Sequence, residues 1–209
     1  MRSYRRSPAL TTWRTERRAN VAELRHAHAL IGNAGPGSGP GRPPKAGTQQ
    51  LNEALVLRIV TEFQGFVRDV MDLATIRLVR GSGSLGPYQA QLISAASLGR
   101  MIDRGNPHLD NIRLDAARLG IAQLGSRLQA KSPHHAEDAR ALKELVELRN
   151  ALVHDDQDKL LALSRSDLRP TVRYTTTSLT VLDRHAHALD RVVWDHLVGL
   201  FPADDPWSL

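Results

Sequence analysis

Apolar residues recur at three- and four-residue spacing along most of the chain, which predicts an all-α fold. The clearest case is residues 51–80, where a broad apolar face continues through the whole segment. Further helices are expected at 15–31, from Pro87 to about Arg104, from Pro107 to about Gly120, from Pro133 to Val153, and from about Thr180 onward. Helices in series with short connections predict a bundle of about five to six helices.

Two stretches break the helical pattern. Ten of the sixteen residues at 32–47 are Gly or Pro, which indicates a flexible loop or linker. Residues 171–177 are rich in threonine, so we expect a short β-prone stretch there. The predicted organisation is, in chain order, a basic flexible tail at 1–14, a helix at 15–31, the Gly/Pro-rich loop at 32–47, a helical domain at 48–201 and a C-terminal tail at 202–209.

The composition excludes several classes of chemistry. The chain contains no cysteine, so disulfides, zinc–thiolate sites and thiol nucleophiles are ruled out. Its apolar runs are shorter than the roughly 18 residues that cross a bilayer, and the N-terminus lacks the apolar core of a signal peptide. These features predict a cytoplasmic protein with no membrane partner. We expect no metal site and no cofactor.

The net charge of +6 is concentrated at the N-terminus. Residues 1–18 carry six arginines against the single acidic residue Glu16, so the rest of the chain carries only about +1. The six are Arg2, Arg5, Arg6, Arg14, Arg17 and Arg18. They form either a solvated tail or an arm that contacts nucleic-acid phosphates.

Helical geometry singles out one arginine in the body of the chain. Two Arg–His pairs have four residues between them, Arg149–His154 and Arg191–His196. On a helical wheel Arg149 falls in the middle of an apolar stripe, whereas Arg191 lies opposite the apolar face of its helix. A charged side chain directed at a core is costly unless it is paired, and such groups often mark functional sites. Arg149 is therefore either a site residue or a buried arginine that holds helices together.

His154 does not share the face of Arg149 on an ideal wheel. The polar run at 155–158 indicates that the helix ends there, which would free His154 from the regular helical position. A site assembled from two chains would also bring the two residue types together. The alternative is a histidine that is favoured at a helix C-terminus by the helix dipole.

The sequence from Leu148 to His154, LRNALVH, resembles the RNxxxH signature of HEPN domains, small helical modules of prokaryotic toxins and defence proteins. Gly41-Arg42, Leu51-Asn52 and the run from Ile59 to Asp69 resemble the opening of the RiboL-PSP-HEPN branch. The similarity covers roughly residues 15–200, while the Pro-rich insert and the basic N-terminus depart from the family pattern.

The resemblance implies a HEPN-like helical bundle with metal-independent endoribonuclease activity, a hydrolase that acts on RNA. RNA carries its own nucleophile, the 2′-hydroxyl group. His154 would transfer protons and Arg149 would bind the phosphate. One histidine cannot easily be base and acid at once, so the resemblance also implies a homodimer with its site at the interface. A toxin or antiphage effector of this kind would have an antitoxin or another defence-system protein as partner.

Two further residues are candidates for supporting roles. Asn150 is either an exposed helix residue or a group that orients Arg149 or binds phosphate. Glu62 lies at the edge of the apolar face of the long helix, where it either pairs with Arg149 in the core or is a surface carboxylate.

Two other functions remain open from the sequence. The chain could be a non-catalytic HEPN module that binds RNA or a partner protein and keeps the motif for structure. It could instead be a DNA-binding regulator that uses the arginine-rich N-terminal arm.

Overall fold

The computed structural model describes residues 3–33, 46–81, 88–202 and 205–208. The structure is 81% helical, and the described residues include no strand, so the predicted all-α class is confirmed. The elements are, in order, α1 (Pro8–Thr12), a π-helical turn (Trp13–Arg17), α2 (Arg18–Asn33), α3 (Ala46–Gly81), α4 (Tyr88–Ser97), α5 (Met101–Arg104), α6 (Leu109–Arg118), α7 (Leu124–Lys131), α8 (His135–Val153), α9 (Gln157–Arg165) and α10 (Val172–Leu200). Three of them, α1, α7 and α9, were not predicted. The Gly/Pro-rich segment 34–45 lies outside the described residues.

The two longest helices, α3 and α10, pack against each other at the centre of the bundle, and α2 and α8 pack beside them. Their shared face is formed by large apolar residues with no exposed surface, including Phe63, Phe66, Leu182 and Leu189. Burying a side chain of this size contributes about 1.5–3 kcal/mol, so this face accounts for much of the driving force for folding. The same two helices fix the position of α8, which carries the candidate site.

The expectation of a flexible tail at 1–14 is wrong for the residues that the structure describes. Leu10 and Trp13 are fully buried, and Trp13 makes an edge-to-face contact with Phe63 at 5.8 Å between ring centroids. Ser7 caps α1 by accepting a hydrogen bond from the backbone N–H of Leu10 at 3.0 Å. The apolar residues between the arginines therefore fold the segment onto the bundle.

The described part of the C-terminal tail is also packed. The ring of Trp207 lies 6.0 Å from that of Trp194, and its indole N–H donates to the backbone oxygen of Arg5 at 2.9 Å. Pro206 is buried. The described residues of the two ends of the chain thus lie against each other and against α10.

The expected β-prone stretch at 171–177 is instead the start of α10. Thr171 caps the helix by accepting a hydrogen bond from the backbone N–H of Tyr174 at 3.1 Å. Three of the following threonine hydroxyls donate to carbonyl oxygens one turn earlier, which satisfies them within a helix; they are Thr175, Thr176 and Thr177. Packing of the apolar residues further along α10 outweighs the local preference for a strand.

None of the helices in the described part of the chain combines the length and the apolar character needed to cross a membrane.

Candidate functional site

The candidate site lies where α8 ends. His154 is the C-cap, and Asp155 follows in a left-handed conformation with φ of 50°. The backbone N–H of Asp156 donates to the oxygen of Ala151 at 3.0 Å, and that of Asp155 donates to Leu152 at 3.4 Å. This pair of bonds is a Schellman motif, and it satisfies carbonyl groups that a helix end leaves without partners. The helix therefore ends at the polar run 155–158, as predicted.

Arg149 is half-buried, so its predicted place in the middle of the apolar stripe needs correction. At this end of α8 the buried positions are Leu148 and Ala151, while Val153, on the side of Arg149, is 48% exposed. The reason is that the buried positions shift around the helix axis, from Leu142 and Val146 to Leu148 and Ala151, so the face that is covered at this end is not the one that carries Arg149. The guanidinium thus lies at the edge of the core rather than within it.

The side chain of Asn150 holds Arg149 through a shared acceptor. Its Oδ1 accepts hydrogen bonds from Arg149 Nη1 at 3.1 Å and from Asn106 Nδ2 at 2.6 Å. Asn106 lies in the connection between α5 and α6, and its own backbone oxygen accepts from Asn111 Nδ2 at 2.9 Å. The amide of Asn150 is therefore fixed from two sides.

The connection that carries Asn106 is itself fastened to α3. Gln64 donates through Nε2 to the backbone oxygens of Ile102 at 2.6 Å and Gly105 at 2.9 Å. The end of α8 is thus bonded to the α5–α6 connection through Asn150 and Asn106, and that connection is bonded to α3 through Gln64.

Among the described residues, Arg149 takes part in no ion pair. Other arginines of the bundle are neutralised by carboxylates, for example Arg100 by Asp72 at 2.7 Å and Arg184 by Asp138. Arg149 is bonded instead to the neutral amide of Asn150. A half-exposed guanidinium without a carboxylate partner can bind an anion, and phosphate fits its paired N–H groups well.

His154 is exposed to solvent, and its backbone N–H donates to the backbone oxygen of Asn150 at 3.1 Å. It follows Arg149 by five residues, at the C-cap of α8. Its backbone thus continues the helix, and five residues along a helix place its side chain on a different face from that of Arg149. An accessible imidazole at this helix end can exchange protons with a bound phosphodiester.

Glu62 belongs to a different cluster. It is 4% exposed, and its carboxylate accepts from Arg17 Nη1 at 3.1 Å, Asn20 Nδ2 at 2.9 Å and Arg58 Nη2 at 2.7 Å. The expected pairing with Arg149 is therefore wrong, and the alternative of a surface carboxylate is wrong as well. Glu62 joins α3 to the N-terminal helical segment, which the sequence pattern had left apart from the core.

Most of the N-terminal arginines are neutralised within the molecule, in contrast to the expected phosphate-binding arm. Arg5 pairs with Asp205, and Arg17 pairs with Asp69 at 2.6 Å as well as with Glu62. Arg14 and Arg18 both pair with Asp183, at 3.0 and 3.4 Å. Arg6 is exposed and forms no ion pair with the described residues, and Arg2 lies outside them.

Asn106 is the residue of this site that the sequence pattern did not reveal. It lies between Gly105 and Pro107, which indicate only a break between helices. A turn residue of this kind gives no periodic signal, so its contact with a side chain 44 positions away becomes visible only in the fold. In the described ranges no group of three or more His, Asp or Glu side chains is arranged to hold a metal ion.

Comparison of the chain with protein-family models, with curated proteins and with solved structures finds no match in any of the three.

Proposed function

We propose that this chain is a HEPN-type endoribonuclease that cuts RNA without a metal ion, with Arg149 and His154 as its catalytic residues. The observation that carries the proposal is the state of Arg149. Its guanidinium is half-buried, bonded to the amide of Asn150 at 3.1 Å, and unpaired with any carboxylate among the described residues. Such a group is ready to bind a phosphodiester at the helix end where His154 is exposed.

The reaction begins at the 2′-hydroxyl group of the ribose. An imidazole accepts its proton while the oxygen attacks the phosphorus, and the bond from phosphorus to the 5′-oxygen of the next nucleotide breaks. A second imidazole in its protonated form donates a proton to that leaving oxygen. The products are a 2′,3′-cyclic phosphate and a 5′-hydroxyl end. Arg149 stabilises the negative charge that grows on the phosphate oxygens in the transition state.

The proposal includes a homodimer because one His154 cannot supply both proton transfers in one turnover. Two copies that meet at the ends of their α8 helices would place two imidazoles and two guanidiniums around one strand. The exposed Val153, four residues after Arg149 on α8, gives this end of the helix apolar surface that a second copy would cover. A toxin or antiphage role, with an antitoxin or defence-system partner, would be consistent with this chemistry.

The test uses pairs of matched residues on one helix. Purified protein is incubated with RNA in EDTA, and products are analysed for cyclic phosphate ends. Arg149→Ala and His154→Ala are expected to reduce cleavage by at least about a hundredfold. Arg140→Ala and His134→Ala replace exposed residues of the same types at the other end of α8, and both should cleave as the unaltered protein does. Full cleavage by Arg149→Ala and His154→Ala would reject the proposal.

One observation favours a second candidate, a non-catalytic module that binds RNA or a partner protein. Arg149 and Asn150 are joined to Asn106, so the motif also connects α8 to the α5–α6 connection. A purely structural motif predicts no turnover by the unaltered protein and a lower melting temperature in Arg149→Ala. The nuclease predicts turnover and a melting temperature that changes little in that variant.

A further inference from the structure

An open groove of about 390 Å³ lies beside the candidate site, between the start of α3, the end of α8 and α9. Leu148 and Leu152 form part of its wall, and these residues stand one position before and three positions after Arg149 on α8. The groove therefore borders the same turn of helix as the guanidinium, on the neighbouring face. We call it the amide groove, after the carboxamide side chains of Gln49, Asn52 and Gln157 that line it.

The amide groove combines an apolar floor with polar groups that read nucleobases. Leu160 and Leu168 add to the leucines of α8, and most of the lining surface is apolar. Proteins hold an unstacked base between apolar side chains and identify it by hydrogen bonds to its edge. Asn, Gln, Glu and Arg are the side chains that form these bonds, and all four types line this groove.

Asn52 supplies an independent indication that a ligand belongs there. It is 8% exposed, it lines the groove, and its Oδ1 is buried with no hydrogen-bond partner. A buried carbonyl oxygen without a donor is costly, and native proteins rarely leave one unpaired. A ligand in the groove that presents an N–H group, met by rotation of the Asn52 amide, would satisfy this oxygen.

Glu53 adds a second acceptor beside Asn52 in the groove. Glu53 also lines the groove, half-buried, and its Oε1 already accepts from Gln49 Nε2 at 3.1 Å. Asn52 and Glu53 together present acceptor oxygens. An exocyclic amino group, as in adenine or cytosine, offers two hydrogens to acceptors. Uracil instead places a carbonyl oxygen at that position, and this oxygen would face the carboxylate.

We infer that the amide groove binds one base of the RNA strand next to the cleaved phosphodiester and prefers a base with an exocyclic amino group over uracil. The inference rests on the proposed nuclease for its cleavage arm only. It assigns Asn52 as the residue that determines base preference, with Glu53 beside it.

The binding arm requires no catalysis. Full-length ¹⁵N-labelled protein is titrated with adenosine, cytidine and uridine, and amide chemical shifts are followed. Adenosine and cytidine should shift signals around Asn52, Leu152 and Ser164, with uridine weaker by about tenfold. Equal shift changes with the three nucleosides, shift changes only at residues outside the groove, or no shift changes up to the solubility limit of the nucleosides would overturn the inference.

Two variants separate a binding role from a structural one. Asn52→Leu keeps the approximate size and removes the acceptor, and Ser164→Phe fills the groove from α9. Gln129→Leu makes the matched change at an exposed position of α7. With melting temperatures near that of the unaltered protein, the first two should lose the preference for adenosine and the third should keep it. Retention of that preference in folded Asn52→Leu and Ser164→Phe would overturn the inference.

The cleavage arm maps cut positions in a pool of random-sequence RNA. The base on one side of the cut should be depleted of uracil for the unaltered protein and evenly distributed for Asn52→Leu. Cleavage that depends on Arg149 but shows no such bias would overturn the groove and leave the nuclease standing. Nucleoside binding without any cleavage would leave the groove standing and reject the nuclease.

Discussion

Asn106 and Asn150 are joined by a hydrogen bond of 2.6 Å between Nδ2 of the first and Oδ1 of the second. The same Oδ1 accepts from Arg149 at 3.1 Å, so the amide of Asn150 is a link between the α5–α6 connection and the guanidinium. Because Asn106 is itself held by Asn111, and its connection by Gln64, the orientation of Arg149 depends on residues from three elements.

Asn106 is accordingly expected to position Arg149 without touching RNA. Asn106→Ala should lower kcat by roughly ten- to a hundredfold while KM changes little, because the guanidinium loses its fixed orientation. The side-chain ¹⁵N relaxation of Arg149 gives a reading that does not depend on activity, and it should report faster motion in this variant. An unchanged kcat together with unchanged Arg149 relaxation would contradict this role.

Gly65 on α3 is expected to be required because the guanidinium of Arg17 packs against it. A Cβ atom at this position would lie 2.3 Å from Nη1 of Arg17, the arginine that binds Glu62 and Asp69. Gly65→Ala should therefore reduce the free energy of unfolding by about 1–2 kcal/mol, since charge-assisted hydrogen bonds are lost.

Gly199→Ala is the matched control for Gly65. A Cβ atom there meets nothing within 4 Å, so alanine should raise the free energy of unfolding by about 0.5–1 kcal/mol. Urea unfolding of both variants measures the difference. If both alanines raised the free energy of unfolding equally, the side chain of Arg17 would have moved without losing its hydrogen bonds, and the prediction would be wrong.

His185 is expected to make the fold sensitive to acid. It is 1% exposed and stacks on His135 at 5.9 Å, and burial lowers its pKa to about 4, with the neighbouring His135 adding to the effect and Asp138 opposing it. The imidazole of His185 therefore takes up a proton at a higher pH in the unfolded chain than in the folded one. The free energy of unfolding is at its full value, as far as this group is concerned, above about pH 6.5, and it decreases as pH falls toward 4. Over this pH range the free energy of unfolding decreases by about 3 kcal/mol.

Unfolding at pH 7 and pH 4.5 tests the role of His185. His185→Phe removes the group, so its free energy of unfolding should fall less on acidification than that of the unaltered protein. His134→Phe makes the same change at an exposed histidine and should leave the pH dependence as it was. Identical acid sensitivity in all three proteins would reject the assignment.

Trp13 is expected to anchor the N-terminal segment to the bundle. It is fully buried against Phe63 and Phe66, and its indole N–H donates to Asp183 at 3.1 Å. Trp13→Ala should cost about 3–5 kcal/mol in thermal or urea unfolding. Trp207→Ala, at a half-buried position, should cost less. A stability unchanged by Trp13→Ala would restore the description of this segment as a loose tail.

Periodicity predicted the long helices because the apolar face of α3 and the polar run after Val153 are local features, whereas the short helices α1, α7 and α9 were missed. Periodicity could not predict the ion pairs, because Arg14 and Asp183, for example, are 169 residues apart in the sequence and only the fold brings them together. Counting charge in residues 1–18 therefore suggested an exposed arm where most of the arginines are neutralised. The helical wheel placed Arg149 in the middle of the buried face for a similar reason, because a wheel assumes that the same face of α8 is covered along its whole length.

The threonine-rich start of α10 shows how a local preference is overruled. Strand propensity reflects packing on a sheet, and no sheet exists in the described part of the chain for Thr175 to join. Its hydroxyl instead bonds the carbonyl oxygens of Thr171 and Val172. The position of Asn106 was equally hidden, because a turn residue acquires its role only from what the neighbouring helix presents to it.

The π-helical turn at Trp13–Arg17 contains one residue more than a regular α-helical turn would, as the bond from the N–H of Arg18 to the oxygen of Trp13 records. One residue corresponds to about 100° of rotation around a helix axis. Deletion of a single residue from this turn would therefore rotate the preceding segment by about 100° around the helix axis relative to α2. Ser7 and Tyr4, which now bind the buried carboxylate of Asp190, would then face another direction. The attachment of the segment from Tyr4 to Thr12 thus depends on the number of residues in this turn.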